Sequence, residues 1–259
     1  MIYKKSPEEL EIMRRAGAIL VETLNALEAA LVPGITTAEL DRIAEDTITS
    51  RGAAPSFKGY RGFPASICAS ANDVIVHGIP GPTVLYEGDI VSLDVGVLYN
   101  GFHADSAWTF PVGEVSAETA HLLEVTEGSL HAAIAECRPG QRLGDVGHAV
   151  ESTAEEAGFS IVREYVGHGV GRALHEDPQI PNYGPPGRRE MLSPGMTLAV
   201  EPMVNLGGPE TKVLRDGWTV VTADGSLSAH FEHTIAITAD GHDVLTRDAA
   251  RNRAGAGAA

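Results

Sequence analysis

The sequence predicts an α+β fold made of two similar halves, each a pair of helices followed by a strand-rich segment. Three features carry that expectation. Apolar residues keep helical spacing behind clear capping signals. Asn-Gly and Asp-Gly pairs mark hairpins within β-rich runs. The same punctuation then recurs along the chain at one constant offset. A chain of 259 residues can also bury a sizeable core, which excludes a small disulfide scaffold.

Ser6-Pro7-Glu8-Glu9 forms a capping box with proline at the first helical position. The Ser6 hydroxyl can accept from the third backbone amide while Glu9 reaches back. A helix is expected from about 6 to 31, with Met13, Ala16, Leu20, Leu24, Leu27 and Leu31 at helical spacing until Val32-Pro33-Gly34 breaks it. Thr36 with Glu39 opens a second helix over Leu40, Ile43 and Ala44, ending at Gly52. Asp89 to Phe110 reads as two strands joined at Asn100-Gly101, the strongest short hairpin signal.

Another long helix is expected at about 117 to 136, again followed by a break, a second helix and a glycine. Pro139-Gly140 repeats Pro33-Gly34, Val146 stands for Leu40 and Gly158 for Gly52, each 106 residues on. This pattern reads as a degenerate internal duplication with repeats at about 6–111 and 117–245. Met196 to Val204 reads as one strand holding Glu201. Trp218 to Ile237 carries a second hairpin signal at Asp224-Gly225, with Glu232 on the return strand. The tail, 249–259, is Ala/Gly-rich and expected to be disordered.

Lys and Arg number 19 against 35 Asp and Glu, a formal net charge of -16. This balance repels a phosphate backbone, and no basic patch offsets it, so nucleic-acid binding is not expected. The longest apolar stretch, Ala16 to Val32, is interrupted by Glu22, Asn25 and Glu28, too polar for a membrane span. With no apolar run behind the first lysines, no signal peptide is read and a cytoplasmic protein is expected. Cys68 and Cys137 are the only cysteines, compatible with reduced thiols and outside any CxxC zinc pattern.

Four carboxylates in apolar strand segments, Asp94, Asp105, Glu201 and Glu232, call for an explanation, because a buried charge costs several kcal/mol unless it is paired or metal-bound. A solvated face or salt bridges would also account for them, although few basic residues lie near in sequence. The Asn100-Gly101 turn sets a register in which Tyr99 faces Phe102 and Gly96 faces Asp105. Asp94 then sits diagonally from Asp105 on the same face, about 7 to 8 Å away between Cα atoms. One cation can bridge that pair.

His168 and His175 belong to Gly167-His168-Gly169-Val170-Gly171-Arg172-Ala173-Leu174-His175, where glycines permit close approach and imidazole suits a divalent transition metal. A phosphate loop is the rival reading. It is weaker, because the segment runs into Glu176-Asp177-Pro178 rather than opening a helix. His77, in Asn72-Asp73-Val74-Ile75-Val76-His77-Gly78-Ile79-Pro80, is singled out by its company. His103, His121, His131, His148, His230, His233 and His242 have no comparable context and read as surface or structural residues.

Together these motifs resemble the type I methionine aminopeptidases, from the capped first helix to about Leu245. The resemblance rests on Asn72 to Pro80, on Asp94 to Asp105 with its hairpin, and on Gly167 to His175. Val200-Glu201-Pro202-Met203, Asp216-Gly217-Trp218 and Ser228-Ala229-His230-Phe231-Glu232-His233-Thr234 complete it. It implies a pita-bread fold, two pseudo-two-fold related αβ halves around a curved antiparallel sheet, forming one catalytic domain over residues 1–248.

It further implies two divalent metal ions, with Asp94 on one, His168 and Glu201 on the other, and Asp105 and Glu232 bridging both. Four carboxylates and an imidazole suit Mn, Fe(II), Co or Zn. Activated water would attack the first peptide bond, Glu201 would move the proton, and the substrate's α-amine would bind at the metals. His175 would meet the peptide carbonyl, and His77 the scissile amide and developing intermediate. By the same resemblance Tyr60, Phe63, Cys68, Met203 and Trp218 line a pocket for the thioether side chain. Asn72, Val74 and Ser228 would offer carbonyls to a monovalent cation. The chain departs from the family at Phe63 and Leu174, where tyrosine and phenylalanine are common.

The implied substrates are nascent polypeptide N-termini, Met followed by a small residue, after deformylation and near the ribosome, and the expected state is a monomer. Two other enzymes of the fold are weighed against this. Xaa-Pro aminopeptidases carry a long N-terminal domain, whereas only a short segment precedes Pro33 here; type II methionine enzymes carry a helical insertion for which this length leaves no room. A non-catalytic peptide-binding relative would have lost ligands that are all present.

Overall fold

A computed structural model of the chain describes residues 1–248. The first half runs through helices α1 (Pro7–Ala30) and α2 (Thr37–Ser50) into strands β1 (Ala54–Pro55), β2 (Ile67–Ala71), β3 (Val74–Val76), β4 (Ile90–Tyr99) and β5 (Phe102–Pro111). The second half begins with α3 (Ala117–Glu136) and α4 (Leu143–Glu156). Short strands follow: β6 (Ser160–Ile161), β7 (Gly167–Gly169), β8 (Glu176–Ile180), β9 (Thr197–Val200) and β10 (Met203–Asn205). The described chain closes with β11 (Thr211–Val213), β12 (Val220–Thr222), β13 (Ser228–His230), β14 (His233–Ile237) and β15 (His242–Val244). The tail expected to be disordered lies outside the described residues.

Both capping boxes form. Ser6 and Thr36 each accept from the third backbone amide, and Glu9 and Glu39 return a carboxylate to the cap N–H. Helices α2 and α4 have the same length and begin at Thr37 and Leu143, the offset seen in the sequence punctuation. Helices α1 and α2 pack Leu20, Leu24, Leu27, Leu40 and Ile48 onto Ile67, Leu93, Val95 and Phe110. Helices α3 and α4 pack Leu122, Leu130, Ile134, Val146 and Val150 onto Leu198, Val200, Val204 and Ile235. Trp108 touches both clusters and lies edge-on to Phe231, with ring centroids 4.8 Å apart. Cys68 and Cys137 are free and buried, in different clusters.

The register of β4 and β5 follows the Asn100-Gly101 turn without a bulge: Tyr99 pairs with Phe102 and Gly96 with Asp105. Other expectations need correction. Met196 to Val204 is not one strand; it breaks at Glu201-Pro202, since proline has no N–H for the ladder. The facing chain breaks at the same level. Val200 pairs with His233 and Met203 with His230, so Phe231-Glu232 stands opposite Glu201-Pro202. Glu232 therefore lies between two strands and not on a hairpin return.

The turn at Asp224-Gly225 exists, but its flanks do not pair with each other: β12 pairs with β11 and β3, while β13 pairs with β10. The Asn72-Asp73 turn takes the backbone groups a hairpin would need. Asp73 accepts from the Thr222 N–H, and Asn72 from that of Ser228, both at 2.9 Å. Asp224 itself is used locally, holding the Gly208 and Ser226 amides.

The two halves meet along a seam made largely by hydroxyls. Thr234 Oγ1 accepts from the Asp105 N–H at 2.9 Å and donates to the Asp105 carbonyl at 2.7 Å. Ser106 Oγ donates to the Glu232 carbonyl, and the Glu232 N–H to Ala107 at 2.8 Å. This seam fixes Asp105 beside Glu232.

Candidate active site

A cavity of about 200 Å³ opens where the halves meet. Asp94 and Asp105 enter it from the β4–β5 hairpin, His168 from β7, and Glu201 and Glu232 from the paired interruptions. Donor atoms of Asp105, His168 and Glu232 all lie within 4.8 Å of one another. His168 Nε2 is 3.9 Å from Asp105 Oδ2 and 3.6 Å from Glu201 Oε1.

Close backbone packing places these groups. A Cβ on Gly167 would stand 2.3 Å from the Ala199 carbonyl, and one on Gly169 2.2 Å from that of Asp177, so only glycine lets β7 lie between its neighbours. His168 Nδ1 sits 2.9 Å from the Gly169 carbonyl, which makes Nδ1 the N–H donor and leaves the Nε2 lone pair facing the carboxylates.

Asp105 and Glu232 are 4% and 2% exposed, and among the described residues no lysine or arginine pairs with any of the four acids. Asp94 Oδ1, Asp105 Oδ1 and Glu232 Oε1 are buried without a hydrogen-bond partner. Burial pushes the Asp94 carboxyl up to about 7. Burial and then the negative neighbours push Asp105, Glu201 and Glu232 well above the usual carboxylate range. Burial holds His168 neutral, pushed down to about 4. Crowded acids with open lone pairs beside a neutral imidazole fit a divalent cation, which would supply the missing positive charge.

Around this cluster stand the other expected residues. His175 Nδ1 is 2.9 Å from Tyr60 Oη, and its ring lies 4.2 Å from that of His168. His77 adopts φ 59°, a conformation uncommon for a non-glycine residue, and stands edge-on to Tyr165 and Trp218. A Cβ on Gly78 would stand 2.3 Å from the Ala69 carbonyl, so the His77 turn is pressed against β2. Phe63 and Trp218 meet edge to face at 5.1 Å and, with Tyr60, Cys68 and Leu174, form an apolar wall.

Met203 is the exception among the expected pocket residues. It is fully buried with Ile75, Val76, Val162 and Val220, behind the cavity wall and not on it, because it follows the break at Pro202 on β10. Phe57, Arg61, Tyr165 and Val166 line the cavity without having been singled out. His230 reads from sequence as a surface or structural residue, yet its Nε2 is 3.8 Å from Glu201 Oε2. Its position two residues before Glu232 was the available signal.

A sequence model described as metallopeptidase family M24 matches residues 11–239. The chain belongs to metallopeptidase family M24. Among M24 relatives, methionine aminopeptidase 1 of Bacillus subtilis (strain 168) is 58% identical over 247 residues, covering 95% of this chain and 100% of the relative. Methionine aminopeptidase 1 of Mycobacterium tuberculosis is 49% identical, covering 95% of each. The crystal structure of methionine aminopeptidase from Thermotoga maritima superposes with a TM-score of 0.94 at 47% identity, over 96% of this chain and 100% of that one. The prolidase from Pyrococcus furiosus shares the fold, with a TM-score of 0.78 at 23% identity over 95% of this chain and 65% of that one. The M24 chain thus has the pita-bread fold that the motifs implied, and it is a metallo-aminopeptidase.

Proposed function

We propose that this chain removes the N-terminal methionine from polypeptides whose second residue is small. The observation that supports it most directly is the donor cluster of Asp105, His168 and Glu232 in a cavity with an apolar wall, in a chain 58% identical to a methionine aminopeptidase. Asp94, Asp105, His168, Glu201 and Glu232 would hold two divalent ions from among Mn, Fe(II), Co and Zn. Such ions supply Lewis acidity and a nucleophilic water at neutral pH.

The chain's own groups do the rest. Glu201 accepts the proton from the attacking water and returns it to the departing amine. His77 and His175 are neutral imidazoles, their pKa lowered chiefly by desolvation; His175 donates a hydrogen bond toward the peptide carbonyl, and His77 meets the scissile amide and the developing intermediate. Phe63, Cys68, Trp218 and Tyr60 enclose the unbranched thioether. The carbonyls of Asn72, Val74 and Ser228 would take a monovalent cation.

Among the described residues no helix is long and apolar enough to cross a membrane. The substrates in this reading are nascent, deformylated N-termini near the ribosome, acted on by a cytoplasmic monomer. Release of free methionine from Met-Ala-Ser tests the activity, using chelated protein reloaded with each metal in turn and Leu-Pro-Ala alongside. Metal-dependent methionine release with the proline peptide intact is expected. Cleavage of the proline peptide would assign the Xaa-Pro branch, and no cleavage of either a binding role.

The division of roles has its own test. His175→Ala is expected to lower kcat about 100-fold or more while metal content stays unchanged. Loss of metal in this variant, read by elemental analysis, would move His175 among the ligands.

A further inference from the structure

Glu201 is flanked by two imidazoles. Its Oε1 faces His168 Nε2, and its Oε2 lies 3.8 Å from His230 Nε2. His230 is 2% exposed and is absent from the cavity wall, so it reaches the reacting groups only through Glu201. Its Nε2 has no hydrogen-bond partner among the described residues, a costly condition for a buried polar atom. The backbone that carries this ring is pinned. Thr109 Oγ1 accepts from the His230 N–H at 2.9 Å and donates to its carbonyl at 2.8 Å, while β13 pairs His230 with Met203, two residues past Glu201.

We propose that His230 is a positioning residue for Glu201, its Nε2–H holding Oε2 and so fixing the carboxylate in the orientation that takes the proton from the attacking water. A gap of 3.8 Å is closed by a small side-chain rotation or by one bridging water, and such contacts tighten when substrate fills a site. No proton passes to His230; it orients the acceptor. This inference rests on the reading of Glu201 as the proton acceptor.

The test compares three substitutions by kcat and KM on Met-Ala-Ser, by metal content and by thermal midpoint. His230→Leu fills the buried space without a donor and is expected to lower kcat about 10- to 100-fold, with KM and metal content near the parent. His230→Gln offers an amide N–H at similar reach and is expected to restore kcat to within a few-fold. His230→Asn offers the same group too short to reach, and is expected to behave like His230→Leu; it replaces that variant if the apolar one does not fold. Equal kcat in the Gln and Asn variants, or unchanged kcat in the Leu variant, would overturn the proposal. So would loss of metal, which would make His230 part of the ion site. Glu201→Gln is run in parallel: if it keeps parental kcat, the reading of Glu201 fails whatever His230 does.

Discussion

Replacing Asp105 by Asn is expected to lower turnover of Met-Ala-Ser at least about 1000-fold, because metal polarisation contributes several kcal/mol and each 1.4 kcal/mol is tenfold. The same change is expected to raise the thermal midpoint of the metal-free protein. Asp105 is desolvated and stands among other acids, so its carboxyl is pushed well up. A carboxylate whose pKa rises on folding contributes its full stability below its unfolded value of about 4 and loses it as pH rises through the folded one. Asparagine keeps the shape and removes that loss. The gain should therefore be present at pH 8 and vanish toward pH 4. Scanning calorimetry of chelated parent and variant checks it, with metal content measured alongside. Full metal loading with normal turnover would remove Asp105 from the ligand set, and no stabilisation at pH 8 would contradict the burial argument.

Metal affinity should climb steeply with pH. Four acids share one desolvated site, with Asp94 pushed up to about 7 and Asp105, Glu201 and Glu232 held well above the usual carboxylate range by burial and by one another, so the metal-free site retains protons that ionised carboxylates would have lost. The ion must displace them. Release of even one proton makes affinity change tenfold per pH unit, or about 100-fold between pH 6 and pH 8. His168, already neutral above pH 6, adds little over that range. Calorimetric titration in two buffers of different protonation enthalpy counts the protons directly. A pH-independent affinity with no proton released would mean that the acids are ionised before metal arrives, against the direction their burial imposes. The two experiments are complementary, since one removes a negative charge by mutation and the other neutralises it with a cation.

Much of this protein could be read from local sequence. The two capping boxes, the helices they open and the repeated helix pair depend on contacts within a few residues, and they appear where expected. The β4–β5 register is local in the same way. A two-residue turn leaves one pairing open, so the relation of Asp94 to Asp105 follows from Asn100-Gly101. His168 stands out by its flanking glycines and His77 by its company, and the structure shows carbonyls pressing on Gly167 and Gly169 beside the one and on Gly78 beside the other.

Other features were decided by long-range competition for backbone groups. A strand segment cannot tell from its own residues which partner will take its N–H and C=O groups. Asp224-Gly225 carries a hairpin signal, yet the distant Asn72-Asp73 turn claims both flanks. Pro202 marks a break, but only the facing pairs Val200–His233 and Met203–His230 show that Glu201 and Glu232 leave their ladder together. The same interruption sets Met203 behind the wall and turns His230 toward Glu201. Sequence by itself determined the helices, the hairpin register and the chemical types of the site. Tertiary structure decided which of those groups meet, because burial and long-range pairing are properties of the assembled chain.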